Sequence, residues 1–301
     1  MSSENSTATV DWAADRAAID RALARLCVDL EASLLRPIGD AVCYSLLGGG
    51  KRLRGLLVLA ACRTAGGTVD ASELAAAVEV VHAYSLVHDD LPCMDDDDIR
   101  RGRPTVHRVY GVTAATAAGV AMVPLAARTA FRAAQSLDLS ERDCGRVVAE
   151  LMSASGAGGM IGGQLLDLEA EDRSLDLAGL ERIHRAKTGS LIRAAVVIGG
   201  LAARGEEPTI DALGRFGAAI GLAFQIADDV LGVTATTDRL GKPAGRDLDL
   251  KKSTYPALMG VPGATAWASA LVSDGCAALR GAGLLSTELD ALARFVIERE
   301  S

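Results

Sequence analysis

The chain has 301 residues, is 50% hydrophobic and carries a formal net charge of −8. That length is enough for a substantial core, and the acidic balance argues against a nucleic-acid protein, which needs a basic face. Aromatics make up only 3% of the chain, which leaves little for base-stacking platforms.

Ala and Leu dominate and strand-like alternation is scarce, so the composition points to an all-α protein. We expect a flexible N-terminus over 1–10 and one domain over 11–301, since no linker, tandem repeat or low-complexity tail is evident. The six cysteines are scattered without a CxxC pair and read as reduced thiols of a cytoplasmic protein. The first fifteen residues are polar and acidic and do not resemble a secretory signal.

Helical periodicity starts near Trp12 and runs to about Leu35, where Arg36-Pro37 breaks it. A second segment stops at Gly48-Gly49-Gly50, beside Lys51, Arg52 and Arg54, and an apolar helix follows over 56–65. Free backbone amides next to three cations make a plausible phosphate seat. The spacing is not that of a Walker A loop.

From about Ala71 an apolar helix leads into an acidic stretch. Ala75, Val78, His82, Ser85 and Asp89 share one face. Pro92 then forces the end, because the residue before a proline is pushed out of the α region. The helix therefore ends on Asp89 and Asp90, where the helix dipole is already negative. Asp95 to Asp98 follow within a turn. Two unit charges about 6 Å apart repel by roughly 3 kcal/mol at an effective dielectric near 20. Such a cluster is stable when fully solvated or when cations sit in it, and hard carboxylate oxygens suit Mg²⁺.

An uncharged run of 19 residues lies between Arg108 and Arg128, long enough to raise the membrane question. Its Ala, Gly and Thr content and Pro124 make it a helix buried in a bundle, so no membrane span is expected. Helices are expected over 112–135, 140–157, 160–170 and 177–203, with Lys187-Thr188-Gly189-Ser190 interrupting the last. A lysine and a hydroxyl there can hold a phosphate; a snorkelling lysine explains them equally well. A further apolar helix contains Phe224 and Gln225 and ends on Asp228-Asp229. A long basic loop over 234–252 precedes Ser253-Thr254-Tyr255-Pro256, and helices close the chain over 264–281 and 286–299.

Two carboxylate pairs, scattered cations and an apolar interior fit metal-assisted ionisation of a diphosphate ester. In motif order the chain resembles the trans-isoprenyl diphosphate synthases of the bacterial farnesyl/geranylgeranyl type. The motifs are Gly-Gly-Lys51-Arg-Leu-Arg54, Asp89-Asp90-x4-Asp95, Arg100-Arg101-Gly, Gly162-Gly163-Gln164-x2-Asp167, Lys187-Thr188-Gly189, Phe224-Gln225-x2-Asp228-Asp229 and Lys252-Ser-Thr-Tyr-Pro256. The resemblance implies an all-α bundle around a central cavity, a homodimer, and isopentenyl and allylic diphosphates as substrates. It implies that Asp89, Asp90, Asp95, Asp228 and Asp229 serve Mg²⁺ (or Mn²⁺), the last of each pair in support. Arg100, Lys187, Thr188, Gln225, Lys242 and Lys252 would hold the allylic diphosphate, and Lys51, Arg54, His82 and Arg101 the isopentenyl diphosphate. Asp89, Asp90, Asp95, Arg100, Lys187, Asp228 and Lys252 would carry catalysis.

Bulk at Tyr84 and Ser85, five and four residues before Asp89, would set product length. Tyr84 favours fifteen carbons, hence farnesyl diphosphate, and the small Ser85 keeps twenty open. Two departures stand out: Gly232 where the family has a third aspartate, and Gly55 where it has proline, which should loosen that helix start. A class I terpene cyclase would line its cavity with more than the ten aromatics present. A non-catalytic partner subunit would be expected to have lost more of these motifs than one aspartate.

Overall fold

The computed structural model describes residues 10–31, 35–170, 173–234 and 253–298. Helices dominate: α1 (Ala13–Glu31), α2 (Arg36–Leu46), α3 (Leu53–Thr64) and α4 (Ser72–Asp89) come first. A two-residue hairpin follows, β1 (Ile99–Arg100) pairing antiparallel with β2 (Arg103–Pro104). Then come α5 (Val106–Tyr110), α6 (Val112–Ser136), α7 (Glu141–Ser155), α8 (Met160–Glu169) and α9 (Leu177–His184). A π-helical turn, Arg185–Gly189, joins α9 to α10 (Ser190–Ala202). The chain continues through α11 (Glu207–Thr234), α12 (Tyr255–Gly281) and α13 (Thr287–Glu298). The all-α expectation holds. Apart from Val10, the N-terminus expected to be flexible lies outside the described residues, as do the loop over 235–252 and with it Lys242 and Lys252.

The centre is built from helices that are apolar on every side. Residues Leu74–Val81 of α4 and Leu191–Ala202 of α10 are buried almost without a gap, as expected of a helix without a polar face. α4 packs on α3 and α6, while α10 packs on α3, α7 and α11. Small residues let these axes come close. A Cβ on Gly199 would lie 2.3 Å from the carbonyl oxygen of Val58, and one on Gly221 would lie 2.8 Å from Cα of Gly189. The core is one contiguous cluster reaching from Ile19 to Val296.

The uncharged run does form one helix, α6, but only one face of it is buried. Ala115, Ala118, Met122, Leu125 and Ala126 face α4 and its neighbours, whereas Val112, Val120 and Phe131 are exposed. α6 and α11 are long and apolar enough to cross a membrane by length and composition, yet both pack inside the bundle. The segment expected as one helix over 177–203 is broken at Arg185–Gly189, where the i→i+5 pattern absorbs one extra residue. The last long helix begins at Tyr255, ahead of the expected 264, and kinks at Gly260 (φ 73°). The hairpin and α5 were not expected, being too short to leave a periodic signal.

Candidate active site

The first acidic motif ends α4 as Pro92 dictates, with Asp90 as the C-cap. The chain then folds straight back, the Asp95 N–H donating to the Asp89 carbonyl (2.8 Å) and the Asp96 N–H to that of Leu91 (3.1 Å). Burial raises the Asp89 pKa to about 6; the Asp95 and Asp90 charges push the same way, and Lys187 and Arg100 pull it back. Asp90 is buried, and its pKa is raised by burial against the pull of Arg100. Arg100 donates from Nε to Asp90 (2.9 Å) and from Nη2 to Asp97 (3.2 Å). Its guanidinium thus braces the acidic turn from behind, while Asp89 and Asp95 stay partly exposed.

A cationic group lines the neighbouring side. Arg52, in the left-handed region (φ 53°), is buried and structural: it holds Asp20 (2.8 Å), the Leu46 carbonyl (2.8 Å) and Glu79 (3.7 Å). Arg54 sits over the Phe224 ring (6.0 Å), Lys51 lies over Phe295 (5.9 Å), and Arg101 donates to the Gly49 carbonyl. His82 is enclosed among them; burial, then Arg54, Arg101, Arg100 and Arg52, hold its pKa well below the ordinary imidazole value. Gly55 does not loosen the start of α3. Its N–H donates to the buried Glu79 (2.9 Å), a bond that proline cannot make.

The second acidic motif lies inside α11, which runs on to Thr234 instead of ending at Asp228-Asp229 as expected, since no proline follows the pair to stop it. Asp228 is partly exposed, but Asp229 is buried and both its oxygens are engaged. Oδ1 accepts from Gln225 Nε2 (3.1 Å), and Oδ2 accepts from the Tyr255 N–H (3.1 Å) that opens α12. His184 Nε2 lies 3.7 Å from Oδ2, and its ring stacks on Tyr255 at 5.6 Å. Thr188 donates to Gln225 Oε1 (2.9 Å), so Thr188, Gln225 and Asp229 form one chain of bonds. Lys187 Nζ reaches Asp167 Oδ2 (2.7 Å). Burial alone would lower the Lys187 pKa; the charges of Asp167, Asp89 and Asp95 outweigh it and raise it. This coupling joins the π-turn to the first acidic motif.

The structure therefore brings together Asp89, Asp95, Lys187 and Asp167 on one side, and His82, Arg54 and Arg101 on another. Tyr84 is buried one turn before His88, with burial and the Asp89 charge raising its phenol pKa. The Ser85 hydroxyl turns back onto the His82 carbonyl (2.8 Å). Sequence reasoning missed Glu79, Asp97 and His184 as supports; the one signal available was a polar residue at each of these points in an apolar helix or an acidic run. Among the described residues, carboxylate and imidazole ligand atoms lie within 4.8 Å of one another at Asp96, Asp98 and His107, none of them an expected ligand. Both oxygens of Asp98 there are held by Arg108.

The family described as polyprenyl synthetase matches residues 36–272. Farnesyl diphosphate synthase of Escherichia coli (strain K12) is 47% identical over 270 residues, covering 87% of this chain and 89% of that protein. Geranylgeranyl pyrophosphate synthase 9, chloroplastic, of Arabidopsis thaliana is 46% identical over 242 residues, covering 78% of this chain and 67% of that protein. Among solved structures, the geranylgeranyl pyrophosphate synthetase of Pyrococcus horikoshii Ot3 superposes with a TM-score of 0.83 at 31% identity, over 94% of this chain and 96% of that one. With the motifs, the helical frame and these likenesses in agreement, the chain belongs to the polyprenyl synthetase family.

Proposed function

We propose that this prenyltransferase condenses isopentenyl diphosphate with an allylic diphosphate and stops at farnesyl diphosphate. The observation that carries the reading is geometric: the chain reversal after α4 ties Asp95 to Asp89 (N–H to carbonyl, 2.8 Å), and Lys187 of the π-turn is fixed by its bond to Asp167 (2.7 Å). The donor set suits Mg²⁺, since Asp89, Asp95 and Asp228 are partly exposed carboxylates with hard oxygen ligands. Asp89, Asp95 and Asp228 would hold the ions, with Asp90 and Asp229 as supports whose own bonds fix the helix ends. Bound Mg²⁺ would neutralise the diphosphate oxygens and stabilise them as a leaving group.

Lys187 and Arg100, with Thr188 and Gln225, would orient the allylic diphosphate, and Lys242 and Lys252 belong to the same proposed set. Lys51, Arg54, His82 and Arg101 would bind the isopentenyl diphosphate; a neutral His82 offers one N–H and one lone pair among the guanidiniums. The allylic C–O bond breaks, pyrophosphate leaves with the electron pair, and the isopentenyl double bond attacks the cation. A proton then leaves the adjacent carbon, with pyrophosphate as the acceptor. The apolar walls keep water from the cation. Tyr84, buried five residues before Asp89, supports a floor that ends the chain at fifteen carbons. Geranylgeranyl diphosphate is the second reading, favoured by the small Ser85, whose hydroxyl is taken up by the His82 carbonyl of its own helix. The exposed apolar face of α6 supports a homodimer, and reduced thiols support a cytoplasmic setting.

The test is incubation of the protein with isopentenyl diphosphate, Mg²⁺ and each of dimethylallyl, geranyl and farnesyl diphosphate, products being read by chain length. A linear fifteen-carbon product that vanishes on chelation is expected. Cyclic hydrocarbon formed without isopentenyl consumption, or no turnover by folded protein, would overturn the reading.

A further inference from the structure

Tyr84 does not hold its own position. Its ring meets the edge of His88, one turn further along α4, at a centroid distance of 5.0 Å and an interplanar angle of 72°, a favourable aromatic geometry. His88 in turn is docked on a different helix. Its Nε2–H donates to the Thr116 carbonyl of α6 (3.2 Å). The ring lies directly against the backbone of Gly119: a Cβ there would fall 2.0 Å from His88 Nε2 and 2.2 Å from Cδ2. α6 thus presents a notch, made by a missing side chain and one spare carbonyl, and the imidazole fills it.

We propose that His88 is a positioning residue for product length, a wedge in the Gly119 notch of α6 that keeps the Tyr84 ring across the chain pocket. The proposal rests on the reading of Tyr84 as the pocket floor and extends it to a helix that carries neither acidic motif. Buried rings pack at near-crystalline density, so a ring that loses its neighbour's edge finds room to turn. The energetics fit a length switch. Admitting or refusing a few methylenes in an apolar pocket is a matter of about 10–200-fold discrimination, which one misplaced ring can erase. Two consequences follow from the geometry. Removing the wedge (His88→Ala) and filling the notch (Gly119→Ala) act in the same direction, because both abolish the edge contact that the docked imidazole makes with Tyr84. The second leaves every residue of α4 unchanged.

The experiment compares Tyr84→Ala, His88→Ala, Gly119→Ala and the Tyr84→Ala/His88→Ala pair. The readout is the ratio of twenty- to fifteen-carbon product made from dimethylallyl diphosphate, a ratio that loss of total turnover does not move. Each single variant should raise that ratio at least about tenfold. The pair should add little to Tyr84→Ala, as expected when one residue acts through the other. His88→Gln, which keeps an N–H for Thr116 but lacks the ring edge, should behave like His88→Ala and covers the case in which Gly119→Ala does not fold. If Tyr84→Ala lengthens the product while His88→Ala and Gly119→Ala leave the ratio at the wild-type value, the wedge is wrong and the floor stands. If Tyr84→Ala leaves the ratio unchanged, the floor reading fails and the wedge falls with it. A fully additive pair would mean that His88 acts independently of Tyr84, against the proposal.

Discussion

Gly163→Ala tests whether the site depends on the seam between α8 and the π-turn. A Cβ at Gly163 would lie 2.2 Å from Lys187 N, 2.5 Å from its Cα and 2.8 Å from Ala186 C. All three are backbone atoms, so no side chain can swing aside. Reaching ordinary contact needs the two segments to part by about 1 Å, the scale at which overpacking costs about 1–3 kcal/mol. Asp167 lies one turn further along α8 and receives Lys187 Nζ at 2.7 Å across the same seam. Parting the seam therefore stretches that bond and moves the ammonium relative to Asp89 and Asp95. A misplacement of about 1 Å at a reacting centre can cost roughly 10²-fold in rate. The expected result is a kcat lowered by about two orders of magnitude, with a melting temperature lowered by about 2–4 °C for each kcal/mol. Steady-state kinetics at saturating substrates and a thermal melt measure both. Wild-type kcat together with a wild-type melting temperature would refute the reasoning.

Gly145→Ala is the opposite case, since its Cβ meets nothing within 4 Å in the middle of α7; it should stabilise by about 0.5–1 kcal/mol without touching activity, read by urea unfolding. His82 has a folded pKa well below its unfolded value of about 6.5. Its stabilising contribution is complete above that pH and is lost as pH falls, because only the unfolded chain then takes up the proton. His82→Gln should remove up to about 1.4 kcal/mol per pH unit of slope below pH 6.5, and identical slopes for the two proteins would sink the idea. Asp229→Ala leaves the Tyr255 N–H and Gln225 Nε2 without their acceptor. The Tyr255 N–H is fully buried, and leaving it unpaired costs about 1–3 kcal/mol, a loss the urea midpoint would show. Gly232→Asp places a carboxylate one turn after Asp228 on α11; it should lower the Mg²⁺ concentration giving half-maximal rate, and an unchanged titration would show that the position contributes nothing to metal binding.

The end of α4 was legible because it has a local cause. Pro92 stops α4 two residues after Asp90. The π-turn was not legible: a lysine-threonine pair stands out in an apolar segment, but the pattern over 177–203 predicts one helix. The division of labour within each aspartate pair came from the family resemblance and from no local rule. Adjacent helical residues point about 100° apart, so one of each pair must turn inward, but which one depends on partners distant in sequence. Asp90 turns to Arg100 of the hairpin and Asp229 to the first N–H of α12. No spacing rule contains those contacts. The Gly55 departure shows the same limit. Read locally it removes a proline that would rigidify a helix start, yet in the folded chain it supplies the N–H that Glu79 requires. Local rules did succeed where they were broken. Carboxylates at the negative end of a helix contradict the dipole rule, and burial adds to the conflict until Asp89 rises to about 6. A fold that keeps such an end on α4, and a second aspartate pair inside the apolar α11, is holding an arrangement that stability alone would not select. That conflict between local preference and global structure is where function is expected to lie.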